Sequence, residues 1–156
     1  MASRSRSRSP KEQPDFRPSG VLAKYQRQKN PEIGLYAPPR DAAVSSEPWT
    51  LFTFKGDEEL GAQSLNQQSY CVLGADRDCQ VRALHPSCSR RHAVVQFRRR
   101  ESQVRPYLMD LESRNGTWVN GEKLESARFY ELRSGDLIRL GESRRDYVIV
   151  RAPASH

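Results

Sequence analysis

Ser89 and His92, spaced Ser-x-x-His ahead of the run Ala93-Val94-Val95-Gln96-Phe97, are the residues of this chain best placed to do chemistry. The run is β-branched and aromatic, which fits a buried strand, whereas Pro86, Ser87 and Cys88 read as loop. A loop offering two serine hydroxyls with Arg90 and Arg91 at the edge of a rigid strand suits an anion. Backbone N–H groups and short donors reach the charge there, while guanidinium groups pair with its oxygens. Two other chemistries draw on the same residues. Cys71, Cys79, Cys88 and His92 follow a C-x7-C-x8-C-x3-H order superficially like a zinc finger, but Cys71 falls inside an apolar strand and reads as a buried thiol. Cys88, His92 and Asp110 supply the parts of a nucleophilic triad without an elbow or an oxyanion element. Asp110, Glu112 and Asp136 fall at strand ends and turns, where carboxylates stabilise loops. No catalysis, metal or cofactor is expected.

The elements around this stretch are short and β-like. Trp49 to Phe54 makes a first strand, Lys55 to Gln68 reads as a polar surface loop, and Tyr70 to Leu73 is an apolar strand stopping at Gly74. Cys79 to Arg82 is a short strand candidate. Ala93 to Phe97 and Tyr107 to Leu111 flank a basic hairpin around Arg98 to Arg105. The turn Ser113 to Gly116 leads into Thr117 to Val119, followed by the hairpin signal Asn120-Gly121. Strands at Phe129 to Leu132, Leu137 to Leu140 and Asp146 to Val150 complete the set. Regular short strands with glycine turns and no helix-period segment indicate an antiparallel β-sandwich.

With 156 residues, the chain has room for one domain of about 100 residues plus a tail. A mean hydropathy of −0.83 and 36% apolar residues leave part of it unable to enter a core. The strict Ser/Arg alternation of Ser3 to Ser9 is the first such part, in a tail over residues 1–13 expected to be disordered. Such repeats suit reversible phosphorylation and are common in pre-mRNA splicing proteins, which points to the nucleus. Residues 14–25 carry the apolar islands Phe16, Val21, Leu22 and Tyr25 and read either as a docking peptide or as a linker that happens to contain aromatics. Residues 26–46, rich in proline, alanine and charge, read as linker, with order from Glu47 and a disordered end at 153–156. A net charge of +7 favours acidic partners, including non-specific contact with RNA. No apolar run approaches the roughly 20 residues needed to span a bilayer, and no secretory signal is visible. Three irregularly spaced cysteines fit a reducing compartment.

Gly74 at a strand end, Ser89-x-x-His92, Asp110-Leu-x-Ser-x-Asn115-Gly116-Thr117-Trp-x-Asn120-Gly121 and Leu132-x-x-Gly135-Asp136 occur in one order that resembles the forkhead-associated (FHA) domain, over residues 47–152. The resemblance implies an all-β sandwich of about eleven strands whose loops at one end bind a phosphothreonine peptide. It puts the Ser89 hydroxyl and Arg90 on the phosphate, Arg114 in the wall of the pocket and Asn115 on the peptide backbone. It makes Gly74, His92 and Gly116 structural, with Gly116 permitting the strained turn that aims Asn115. One departure is that the family's Gly-Arg is here Gly74-Ala75. A hydrogen bond to a charged group contributes roughly 1.5–3 kcal/mol, so its loss weakens binding about ten- to a hundredfold unless Arg77, Arg90 or Arg91 substitutes.

Further motifs, Asp15-Phe16-x-x-Ser19-Gly20-x-Leu22-Ala23, His85-Pro-Ser-Cys-Ser-x-x-His-Ala-Val, Arg105-Pro-Tyr and Phe129-Tyr-Glu-Leu, are similar to the Smad nuclear-interacting protein and pre-mRNA-leakage protein family. That resemblance implies a subunit of the retention-and-splicing (RES) complex of the spliceosome, monomeric before assembly. Phe16, Ser19, Gly20, Val21 and Leu22 would contact an RNA-recognition-motif protein of that complex. The alternatives are a basic RNA-binding module in RNA processing, using Arg98 to Arg100, Arg144 and Arg145, or an FHA scaffold in small-RNA or signalling pathways that has lost phosphate dependence.

Overall fold

The computed structural model describes residues 36–152, so the Ser/Arg tract, the docking peptide and residues 153–156 lie outside the described residues. Eleven strands form two sheets: β1 (Trp49–Lys55), β2 (Glu58–Ser64), β3 (Tyr70–Gly74), β4 (Val81–Arg82), β5 (Ala93–Arg100), β6 (Gln103–Asp110), β7 (Thr117–Val119), β8 (Glu122–Lys123), β9 (Tyr130–Glu131), β10 (Leu137–Leu140) and β11 (Arg145–Arg151). One sheet runs β2-β1-β11-β10-β7-β8 and the other β4-β3-β5-β6-β9. The sandwich is antiparallel except where β4 pairs parallel to β3.

The core follows from alternation. Odd-numbered positions of β1, β5 and β11, including Leu51, Val95, Phe97, Tyr147 and Ile149, face the space between the sheets and are buried with Leu73, Leu108, Ile138 and Leu140. Trp49 meets Phe97 edge-on at 6.1 Å between ring centroids. Asn120 (φ 52°) and Gly121 (φ 87°) make the left-handed two-residue turn that an Asn-Gly hairpin requires.

Three expectations are corrected. Lys55 to Gln68 is not a surface loop: Gly56 turns the chain (φ 64°) and Glu58–Ser64 pairs with β1 as an exposed edge strand. Having no buried face, β2 shows no apolar alternation. The supposed linker is packed from Tyr36 onward, across the outer face of the second sheet. The Tyr36 hydroxyl donates to Gln96 Oε1 at 2.6 Å, and the Ala43 amide donates to the Phe97 carbonyl at 3.1 Å. Arg98, expected in the basic hairpin, lies instead beneath this strap at 5% exposure. Its guanidinium forks onto both Asp41 oxygens at 2.9 and 3.0 Å, and its Cζ sits 4.5 Å from the Phe129 ring centroid. The strap supplies the half-buried counter-charge that permits an arginine inside β5, and Arg98 is thereby withdrawn from any RNA-facing surface.

Candidate phosphopeptide site

Loops at one end of the sandwich bring Ser89, Arg90, Arg114, Asn115, Gly74, His92 and Gly116 together. β3 ends at Gly74, whose Cα lies so close to the next loop that a Cβ would run into the Arg90 carbonyl oxygen and approach Arg91 Cα to 2.9 Å. The close approach lets two loops zip together, with the Ala75 amide donating to the Ser89 carbonyl and the Asp76 amide to the Arg90 carbonyl, both at 3.0 Å. Backbone packing, not a positive φ, is what requires glycine at position 74.

His92 opens β5 as a fully buried splint. Its Nδ1 accepts from the Ser89 amide at 3.0 Å, which leaves the proton on Nε2, and that N–H donates to the Gly116 carbonyl at 2.6 Å. Burial holds its pKa below the ordinary imidazole value, against the opposing pull of the Gly116 carbonyl and Asp110. Both ring nitrogens are thus engaged by backbone in the neutral form, and neither is left to act as a base toward Cys88.

Asp110, at the end of β6, organises the facing loop. It accepts the hydroxyls of Ser113, Thr117 and Ser126, each at 2.6 Å, and the Ser113 amide at 3.1 Å. Burial pushes its carboxyl pKa up, but these donors outweigh burial and hold it below the usual range. The Ser113 hydroxyl in turn accepts the Gly116 amide at 2.9 Å, and Gly116 adopts φ 94°. A Cβ there would meet Lys123 Cε at 2.7 Å.

The two loops meet at Ser89. Its Oγ accepts the Arg114 amide at 3.0 Å, which leaves the hydroxyl hydrogen available to an incoming oxygen. The side chain of Arg90 is 81% exposed, while its carbonyl is fixed by the Asp76 amide and the Cys79 thiol. Arg114, whose amide is bound to Ser89, is exposed as well. Asn115 Nδ2 gives one hydrogen to the Ser87 carbonyl at 2.8 Å, so its second hydrogen and its Oδ1 are what remain for a ligand. Arg77 is exposed on the loop after β3 and makes no hydrogen bond to these four among the described residues. Arg91 is differently employed: at 9% side-chain exposure it pairs with Asp76 at 2.9 Å and Asp78 at 3.5 Å.

The cysteines do not converge. Cys71 lies in the core, where burial pushes its thiol up to about 12, while Cys79 donates to the Arg90 carbonyl and Cys88 to the Leu140 carbonyl. No cluster of three metal-ligating side chains occurs among the described residues. Sequence reasoning missed the parts of Ser113, Thr117 and Ser126 as Asp110 donors, of Ser87 as the Asn115 anchor, and of Asp76. The Asp110-x-x-Ser113 spacing was a readable sign of a side-chain-capped turn. Ser126 and Asp76 reach their partners only through the fold.

A family model for the FHA domain matches residues 71–141. Smad nuclear-interacting protein 1 of Mus musculus is 36% identical over 150 residues, covering 90% of this chain and 39% of that protein. Pre-mRNA leakage protein 1 of Saccharomyces cerevisiae is 28% identical over 165 residues, covering 85% of this chain and 81% of that protein. The solved structure of the yeast Pml1 splicing factor, described with its integration into the RES complex, superposes with a TM-score of 0.69 at 24% identity, covering 75% of this chain and 97% of that one. The chain spans less than half the length of the mouse relative. The chain therefore carries an FHA domain and has Smad nuclear-interacting protein 1 and pre-mRNA leakage protein 1 among its homologues.

Proposed function

We propose that this chain is a non-enzymatic nuclear adaptor of pre-mRNA splicing whose FHA domain seats a phosphothreonine of a protein partner. The observation that carries the reading is Ser89: its hydroxyl is locked between loops by the Arg114 amide and the His92 splint, with its hydrogen still unspent and Arg90 exposed next to it. Ser89 and Arg90 take the phosphate, Arg114 lines the pocket, Asn115 holds the peptide backbone, and Arg77 adds charge at the rim. The locked loops place the donors before the ligand arrives, which lowers the ordering cost of binding. Kinship with a Smad nuclear-interacting protein and with a yeast splicing factor of the RES complex supports the nuclear and splicing assignment. In the same reading Phe16, Ser19, Gly20, Val21 and Leu22 dock on an RNA-recognition-motif subunit of that complex.

Parallel titration with phosphothreonine and matched unphosphorylated peptide libraries tests the site. A preference for phosphothreonine that Ser89→Ala removes is expected; equal or absent binding overturns it. For the tail, deletion of residues 14–25 should abolish pull-down of the RNA-recognition-motif partner while the sandwich stays folded, and retained binding refutes the docking assignment.

A further inference from the structure

Ala75 removes the arginine that the family resemblance expects, and the next residue is an acid, Asp76. Its amide is bound to the Arg90 carbonyl, so its position relative to the phosphate seat is set by backbone. Its carboxylate, 14% exposed, accepts the Arg77 and Asp78 amides and makes two ion pairs of different kind. Toward Arg91 it makes a close pair at 2.9 Å with a guanidinium that is itself 9% exposed, and Asp78 supports that pair at 3.5 Å. Toward Arg90 it makes a long contact at 3.5 Å with a side chain that is 81% exposed. The first contact belongs to the folded loop, whereas the second is an exposed ion pair of the kind that contributes little and is readily exchanged. Arg90 is at once the most exposed cation carried by the Ser-x-x-His loop and the counter-ion of a carboxylate that cannot leave.

We infer that Asp76 is an internal counter-ion that competes with an incoming phosphate for Arg90. The inference rests on the phosphothreonine reading of the site. In the structure Arg90 leans on Asp76. A phosphate at Ser89 draws the guanidinium away and must also tolerate a fixed negative charge behind it. Arg91 stays with Asp76 and Asp78 throughout, so the loop keeps its shape during the exchange. The arrangement makes the seat weaker than its arginine content suggests and keeps binding reversible, with Asp76 setting the affinity in place of the missing arginine.

Asp76→Asn is the test, since it removes the charge and retains a polar side chain of the same shape. Fluorescence-polarisation titration of the full chain with a phosphothreonine peptide should show roughly three- to tenfold tighter binding than wild type at low salt. The gain should shrink in an Arg90→Ala background and at high salt. Asp78→Asn removes the same unit of charge without touching Arg90 and should give a smaller gain. Damage to the loop from weakening the Arg91 pair would lower affinity, so it cannot imitate the expected result. Unchanged or weaker binding by Asp76→Asn, or an equal gain in the Arg90→Ala background, overturns the inference while wild-type phosphate preference leaves the site reading standing. Absence of phosphate preference in both wild type and Asp76→Asn overturns both.

Discussion

Replacing His92 by alanine tests whether the phosphate loops are held by one buried neutral imidazole. Two hydrogen bonds disappear, from the Ser89 amide and to the Gly116 carbonyl. The Gly116 carbonyl keeps the Gly141 amide at 2.9 Å, so the larger orphan is the Ser89 N–H. A buried polar group left without its partner costs about 1–3 kcal/mol. The cavity left by a fully buried ring adds about 1–2 kcal/mol more, since the loops can partly collapse. The sum is about 2–5 kcal/mol, a large share of the roughly 5–15 kcal/mol that holds a domain of this size. Urea denaturation followed by Trp fluorescence reads it directly, and the midpoint temperature in thermal melts should fall by roughly 8–20 °C. His92→Asn, which can still accept from the Ser89 amide, and His92→Gln, which can still donate toward Gly116, should each lie between alanine and wild type. A loss below about 1 kcal/mol, or alanine no worse than asparagine and glutamine, would refute the splint.

Other outcomes follow from the same contacts. Because burial lowers the His92 pKa, the unfolded chain takes up a proton that the folded one refuses: stability is complete above about pH 6.5 and falls as pH drops through that value toward the lower folded one. Asp110, held below the usual carboxylate range by its hydroxyl donors despite burial, adds a second loss below about pH 3.9, and denaturation at a series of pH values should show both declining limbs. Asp41→Ala strands the Arg98 guanidinium and should cost about 2–4 kcal/mol, with hydrogen exchange accelerating at Ala43 and Arg99, whose amides hold the strap; Asp41→Ala paired with Arg98→Met should recover most of the loss. Gly74→Ala forces a Cβ into the Arg90 carbonyl and should separate the two loops, seen as large amide shifts at Ala75 and Asp76 and loss of phosphopeptide binding even where the sandwich remains folded.

Much of the sandwich was legible because its strands are short runs of β-branched and aromatic residues and its turns carry their chemistry in residue type. Trp49 to Phe54, Tyr70 to Leu73 and Asp146 to Val150 each show β-branched or aromatic residues bounded by turn formers, and Asn120-Gly121 names its own turn. β2 escaped because Glu-Glu-Leu-Gly-Ala-Gln-Ser pairs through its backbone and buries almost nothing, so no side-chain period records it. The strap escaped because it is anchored residue by residue, Tyr36 to Gln96 and Asp41 to Arg98, sixty and fifty-seven positions apart, which no local pattern encodes.

The sequence by itself determined which residues stand at the loop ends: Ser89 and His92 at the mouth of a β-branched strand, Asn115-Gly116 at a tight turn, and Ala75 where an arginine was expected. Those are matters of residue type and short spacing. Only the tertiary structure decided what each charge does. Arg98, Arg90 and Arg91 look alike in a list of basic residues, yet Arg98 is forked onto Asp41 under the strap, Arg91 is locked to Asp76 and Asp78, and Arg90 alone of the three projects into solvent at the seat. The availability of a charge depends on which distant carboxylate the fold brings within a few ångströms and how much water is left between them, and neither is written in the neighbouring residues.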